Sequence, residues 1–545
     1  MAAARRRRLS AGIAGLLLAL LVALPVAAAP AGPGDARITI TSITPVVDGD
    51  GTATVRGRVS NTGSETLDGP RVAVVPQEAG SGRSDIAEWA KGDTPVSGTA
   101  LAATTLDDVP AGGSATFTLQ VDGTDLLPGT SAGAAWVSIQ TDARAVHTFI
   151  GVHRTKEYEP LDVLWGVPLL LPADRRLWST GRDDRTRAWQ ETLGEDSRLA
   201  ALTAEEPADD EFWLVDPSLL DVPATGGDVQ DAERDVRRGF AATLRERIVG
   251  SRTLVLADAD ADVAAGAESE PAGRLVSARL ADGARVAQAL GARSDVLWPA
   301  DGLATGERAE ALHELRPGGV DPTLLVPSTS LEPSGFTPTG GERTSAGSPV
   351  VVRDGPLSHV VEGLASDADV TLARQQLVAE TAAVLGERPG TPRTVVIVPD
   401  RGSTPSATAW QELRDSADDI PWLGGGDLRS TLDHARDAEA SQTPRTPEPG
   451  GSRGRPRTSR ASPGGAPRAS VRCPVPPTPR RAWSCRACTP TATWRSSNGA
   501  SSRVGSVPAA PRPRGGASSS RCCPTRSRAR GSARSCSPTR AAGSP

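Results

Sequence analysis

From Ala36 to about residue 150, apolar and polar residues alternate in short runs. "ARITITSITPVV", "GTATVRGRVSNTG", "PRVAVVPQ", "SATFTLQVDG" and "AAWVSIQTD" each place every second side chain on one face. Gly, Pro, Asn and Asp punctuate the gaps. A period of two belongs to a strand with one dry and one wet face. Several such strands predict an immunoglobulin-like β-sandwich over residues 35–152. The expectation rests on strand number, because the Cys–Trp–Cys core of antibody domains is missing.

Over residues 160–435 the pattern switches to strands that alternate with helices. "DVLWGVPLLLP" opens the series. "EFWLVDP" precedes the helical "DAERDVRRGFAATLRERIVG", "RTLVLADAD" precedes "AGRLVSARLADGARVAQALG", and "SDVLWPADG" precedes "TGERAEALHELRPGG". "PTLLVPS" and "SPVVVRDG" follow, then the long helix in "ASDADVTLARQQLVAETAAVLG", with acids in its first turn and Gly386 expected as its C-cap. "RTVVIVPDRG" and "SATAWQELRDSADDI" complete the run. Strands with helical crossovers imply a mainly parallel sheet. The number of repeats favours an irregular, closed or nearly closed βα barrel over an open doubly wound sheet. The fold class expected is therefore α+β multidomain.

Neither period holds at the two ends. Arg5 to Arg8 and "LSAGIAGLLLALLVALPVAAAPA" read as an export signal over residues 1–31, cleaved before Gly32, with Ala29 and Ala31 at the cleavage motif. Pro25 interrupts the apolar run and favours a signal over an uncleaved anchor. Residues 441–545 are rich in Arg, Pro, Ser and Gly and read as a disordered tail. After Glu448 there are nineteen Arg, no Lys and no acid, a composition that out-of-frame GC-rich DNA produces. A genuine basic arm is the alternative. All six cysteines lie in this tail. Cys485 and Cys488 make a lone C-x-x-C pair without the second pair or histidines that zinc needs. No cofactor or metal site is expected.

Charge is divided as sharply as pattern. The whole chain carries −5; setting aside +19 after Glu448 and +4 from Arg5 to Arg8 leaves −28 for the body. An acidic body suits an exported protein and argues against nucleic-acid binding. The chain has five histidines and no H-E-x-x-H pair, no G-x-S-x-G elbow and no phosphate loop. Asp258, Asp260 and Asp262 have the spacing of a calcium loop, but Val263 and Ser269 stand where Gly and Glu are required.

One regularity carries candidate chemistry. Asp216, Asp258, Asp260, Asp301, Asp354 and Asp400 each follow the end of a predicted strand. Strand C-termini converge on one mouth of a βα barrel, where ligand sites form. Asp216, Asp258 and Asp301 are the catalytic candidates, as acid and base. Trp213, Asp216, Asp260, Trp298, Asp301 and Asp354 are the ligand-binding candidates, because a Trp near each of two acids could stack on a sugar. The competing role for each Asp is to cap the following helix.

The set "FWLVDPSLLD", "LVLADADADVAA", "VLWPADGLATGERAEAL", "PVVVRDGPLSHVV", "RQQLVAETAAVLGERPGTPRTVVIVP" and "IPWLGGGDL" resembles an uncharacterised family of actinobacterial envelope proteins, commonly encoded beside the lipid II flippase MurJ. The resemblance implies a signal peptide, an immunoglobulin-like domain, a barrel-like domain, a further β-rich region and a C-terminal membrane anchor; this sequence departs from it after about Arg445. The barrel segment also resembles glycoside hydrolases and polysaccharide deacetylases at the level of fold. The expectation is an exported, extracytoplasmic, non-catalytic envelope protein that binds cell-wall glycan or a cell-wall synthesis partner. The alternatives are a carbohydrate-active hydrolase and a non-functional frameshifted product.

Overall fold

The alternating runs become β1 (Ala36–Ile43), β2 (Val46–Asp48), β3 (Thr52–Asn61), β4 (Arg71–Gln77), β5 (Ala102–Thr105), β6 (Ser114–Asp122), β7 (Ala132–Gln140) and β8 (Ala145–His153), with one helix, α1 (Arg83–Ala90), between β4 and β5. The computed structural model describes residues 36–446 apart from residues 81, 225–227, 317 and 319–320. The expected signal peptide and all of the tail beyond residue 446 lie outside the described residues.

Strands β1, β3 and β6 form an antiparallel sheet, and β2, β8, β7, β4 and β5 form a second sheet in that order. Ile38, Val55 and Phe117 from the first meet Val74, Ile139 and Ile150 from the second in one core. In β3 and β6 the outward residues are wet, as the period of two requires. β8 is buried on both faces, so its sequence, "AVHTFIGVH", shows no alternation.

The second region contains β9 (Leu161–Leu169), α2 (Arg182–Leu193), α3 (Arg198–Leu202), β10 (Glu211–Val215), α4 (Asp231–Arg247), β11 (Thr253–Val255), α5 (Val263–Glu268), α6 (Glu270–Leu290), β12 (Val296–Leu297), α7 (Gly306–Leu315) and β13 (Thr323–Pro327). It continues with β14 (Gly341–Thr344), β15 (Pro349–Arg353), α8 (Gly355–Glu362), α9 (Val370–Glu387), β16 (Arg393–Ile397), α10 (Ala407–Asp415), β17 (Leu423–Gly425), α11 (Leu428–Asp437) and β18 (Ala440–Gln442). Helix α9 runs through Gly386 to an Arg388 C-cap, so Gly386 is not the cap the sequence suggests.

Strands β11, β10, β9, β16, β15, β13 and β12 are neighbours in that order, and each pair is parallel. The two ends of the row meet at Arg293. Its N–H donates to the Thr253 carbonyl at 3.1 Å and its carbonyl accepts from the Val255 N–H at 2.7 Å. The result is a nearly closed parallel barrel, and the open-sheet alternative falls. The seam is weakest between β15 and β16, where Gly340 fills in: its N–H donates to the Thr394 carbonyl at 2.6 Å and its carbonyl accepts from the Val352 N–H at 2.8 Å.

The lumen is solid. Leu164, Phe212, Leu214, Leu254, Val296, Trp298, Leu325, Val351 and Val396 fill it. Gly166 shows how tightly: a Cβ there would lie 2.5 Å from Phe212 and 2.6 Å from Val398. The outer strand faces, including Val163, Trp165, Trp213 and Val215, pack against helices. The last strand extends the region beyond the expected limit at residue 435. β18 pairs with β14, and the Arg445 N–H donates to the Ser330 carbonyl at 2.8 Å. Backbone pairing without an apolar pattern explains why the sequence does not mark this stretch.

All described residues belong to one compact unit, Met1–Arg455. Helix α9 joins its two regions. Gln375 on α9 donates to the Phe149 carbonyl at 2.8 Å and the Thr44 carbonyl at 3.2 Å. Gly151 on β8 permits the approach, since a Cβ there would sit 2.9 Å from Val378. Among the described residues, no helix is long and apolar enough to cross a membrane.

Candidate functional site

The strand-end carboxylates divide into three groups. Asp216, Asp258 and Asp260 gather at the C-terminal mouth of the barrel. Asp216 is buried and caps the turn after β10: Ser218 N–H donates to it at 2.9 Å and Ser218 Oγ at 2.6 Å. Burial pushes its carboxyl above the ordinary range, and the Asp258 charge adds to this. Asp258 pairs with Arg279 at 2.6 Å. Asp260 is pushed up to about 6, first by burial and then by the Asp216 and Asp262 charges, against the opposing pull of Arg401.

The backbone around Asp260 is unusual. Ala259 has φ 57° and Asp260 φ 43°, so two adjacent non-glycine residues lie in the left-handed region. Such conformations cost about 1–3 kcal/mol each and cluster where function over-determines them. Here they carry the Asp260 carboxylate to Arg401, whose Nη1 donates to Oδ1 at 2.9 Å. Arg401 Nη2 donates to the Trp298 carbonyl at 2.7 Å, and its guanidinium lies 4.2 Å from the Trp298 ring centroid. Trp298, itself 5% exposed, is thus covered by an arginine. Arg353, the inward residue ending β15, donates to the Val398 carbonyl at 3.2 Å and lies 3.6 Å from Asp400. Asp400 also accepts from the Arg401 N–H at 3.1 Å.

Asp301 is exposed, pairs with Arg308 and accepts from the Leu303 N–H at 3.1 Å. Its place is a turn cap on the rim rather than the floor of the mouth. Asp354 is 3% exposed and caps α8, accepting from the Leu357 N–H at 2.9 Å. Its remaining capacity goes to Arg83 of α1, whose Nη1 and Nη2 donate to the two carboxylate oxygens at 2.6 and 2.8 Å. Arg83 Nε reaches Glu380 of α9 at 2.7 Å. Asp354 is therefore the centre of a clasp between the two regions, not a mouth residue.

Trp213 is corrected as well. It is fully buried in the outer layer, and its indole N–H donates to Glu211 at 2.8 Å. Residues three apart in a strand point to opposite faces, so Trp213 and Asp216 cannot both look into the lumen. The mouth residues that the sequence left unmarked are Arg353 and Arg401. Trp178, in the loop after β9, is 66% exposed and edge-on to Trp189 of α2 at 6.1 Å. Arginines after strands and a lone loop Trp carry no motif. Among the described residues, no group of three or more His, Cys, Asp or Glu side chains is placed to hold a metal ion.

A cavity lies elsewhere, between the first region and α9. It measures about 440 Å³ and is lined by Gly82, Arg83, Trp136, Ala379, Ala383 and Glu387, among others.

A family model spans residues 4–466, most of the chain. The chain belongs to a family of unknown function, DUF6049. This member has no match among curated proteins. Among solved structures, 4-α-glucanotransferase from Thermococcus litoralis is 14% identical, with a TM-score of 0.32, over 50% of this chain and 40% of that one. A β-glucosidase from Listeria innocua is 12% identical, with a TM-score of 0.16, over 22% of this chain and 16% of that one. The alkylpurine DNA glycosylase AlkC of Pseudomonas fluorescens gives 12% and 0.16 over 22% and 31%. The DUF6049 chain thus spans well under two thirds of each of these proteins, and the scores carry no functional argument.

Proposed function

We propose that this DUF6049 protein is an exported, non-catalytic component of the cell envelope whose barrel mouth binds cell-wall glycan. The observation that carries the reading is that each strand-end carboxylate is already engaged. Asp216 is held by Ser218, Asp258 by Arg279, Asp260 by Arg401, Asp301 by Arg308, Asp354 by Arg83 and Asp400 by Arg353. Glycoside hydrolysis needs two carboxyl groups facing each other across a cleft, about 5–10 Å apart, with room for a sugar ring. Here the mouth holds Arg401 against Trp298. A binder needs less: an aromatic face, such as the exposed Trp178, and a few polar groups.

The two facing sheets of the first region serve, on this reading, as an immunoglobulin-like spacer or docking module. The export signal, and the membrane anchor expected of intact relatives encoded beside MurJ, would place the barrel outside the cytoplasmic membrane.

The test is co-sedimentation of the full-length protein with purified cell wall, together with an assay for released reducing ends. Binding without release is expected, weakened by Trp178→Ala. Release of reducing ends that disappears in Asp216→Asn and Asp260→Asn would establish the hydrolase instead.

A further inference from the structure

We propose that the barrel mouth is a seat for a primary amino group of the ligand, and that Arg401 is its internal occupant. The inference rests on the reading of the mouth as the binding site and names the chemistry it selects. The seat has three walls. They are the Trp298 ring face 4.2 Å from the guanidinium, the Asp260 carboxylate at 2.9 Å and the Trp298 carbonyl at 2.7 Å. An aromatic face with a carboxylate and a carbonyl beside it is the standard recognition set for an organic cation.

Arg401 fits the seat imperfectly. Two of its nitrogens are bonded, but its Nε–H is buried with no acceptor. A buried donor left unmatched works against the occupied state. An ammonium is more compact than a guanidinium and has three donors rather than five. It would spend them on Asp260 and the Trp298 carbonyl and leave no surplus N–H under the rim.

The turn that carries Arg401 does not depend on its side chain. Arg401 stands in the turn between β16 and α10, where Asp400 N–H donates to Glu362 at 2.8 Å and Ser403 N–H to the Asp400 carbonyl at 2.8 Å. Those bonds hold the turn without the Arg401 side chain. Asp260 lies in a backbone of two adjacent left-handed residues that presents its carboxylate to the mouth. A carboxylate presented by the backbone and an arginine that its own turn does not need make a seat with a displaceable occupant.

An internal occupant lowers apparent affinity by the fraction of time the seat is free. If that fraction is a tenth or less, removing the occupant strengthens amine binding by about tenfold or more. The experiment is calorimetric titration of the full-length protein and of Arg401→Met, which retains an aliphatic stem over the Trp298 ring. The probes are the glucosamine trimer and its fully N-acetylated counterpart. Arg401→Met should bind the free-amine trimer about tenfold more tightly than the parent, gain nothing for the acetylated one, and lose the gain when Asp260→Asn is added.

Equal binding of the two trimers, or no gain in Arg401→Met, overturns the proposal. If Arg401→Met does not fold, the parent protein decides: it must still prefer the free amine, and the preference must vanish in Asp260→Asn. Wall co-sedimentation of the parent separates the two levels. If it persists without amine preference, this inference alone fails. If neither occurs, the glycan-binding reading fails with it.

Discussion

Arg83 bridges two buried carboxylates and Arg401 holds one at the barrel mouth, and the two arginines do different work. Arg83 lies between the two regions, its own side chain 13% exposed and those of Asp354 and Glu380 3% and 0%. It makes a two-pronged contact to Asp354 and a third bond to Glu380. Burial alone would lower its pKa, but the two carboxylates outweigh burial and raise it. Arg401 is more open, with its side chain 18% and that of Asp260 24% exposed. It sits on a ring face and keeps an unmatched Nε–H. An arginine bound to two buried carboxylates fastens; one bound to a single, more exposed carboxylate at a rim can be displaced. The same residue type therefore marks assembly in one place and recognition in the other.

The contrast is tested most strongly at Arg83. Arg83→Met leaves Asp354 and Glu380 buried without a cation. Breaking one side of a buried pair costs about 3–5 kcal/mol. Urea denaturation should show a loss of this size, with the two regions unfolding in separate steps, because α1 carries Arg83 from the first region into the second. A loss below about 1 kcal/mol would mean that the Gln375 and Gly151 contacts of α9 hold the regions together unaided.

Next in size is the pH response of the clasp. Burial pushes Glu380 up to about 7 from an ordinary 4.5, and Arg83 offsets only part of the rise. The folded state therefore holds the proton more tightly than the unfolded chain. The stability this contributes is complete below about pH 4.5 and is lost as pH rises through about 7. The full difference is about 3 kcal/mol. Glu380→Gln should remove that decline: relative to the parent it is less stable at pH 4.5 and gains on it steadily up to pH 8. Parallel pH profiles of parent and variant would show that Glu380 is not the group responsible.

Much of this architecture was legible in the order of residues, and the exceptions have physical causes. The strand and helix alternation from β9 to α10 is written in period and length, since each strand is buried and each helix has a dry face. β8 was not legible, because a strand buried on both faces loses its alternation. The mouth was legible in part. Asp after a strand marks the right end of the barrel, yet capping explains Asp216, Asp301 and Asp354 equally well, and all three cap. Arg83 and Asp354 are separated by 271 positions, and no local pattern predicts such a pair. Trp213 is close to Asp216 in sequence, but the strand pleat sends the two side chains to opposite faces.

At Arg401 the expected stability effect is smaller. A partly exposed ion pair is worth about 0–1 kcal/mol and an exposed cation–π contact about 0.5–1 kcal/mol. Arg401→Met should therefore shift stability by about 1 kcal/mol in urea, well below the Arg83→Met loss. A loss approaching 3–5 kcal/mol would make Arg401 a second fastener and collapse the distinction between the two arginines.

The smallest effect belongs to Asp301, which sequence spacing placed among the catalytic candidates. Its side chain is 30% exposed, it pairs with Arg308, and it caps a turn through the Leu303 N–H. Asp301→Asn keeps an oxygen for that N–H and removes only a partly solvated charge. Stability should change by no more than about 0.5 kcal/mol. Wall co-sedimentation should match the parent, since the Arg401 and Asp260 pairing that defines the mouth does not involve Asp301. Loss of wall binding in Asp301→Asn with unchanged stability would extend the recognition surface from Trp298 out to the rim. The distinction between a fastening and a recognising charge would then turn on position around the mouth rather than on how completely each group is bonded.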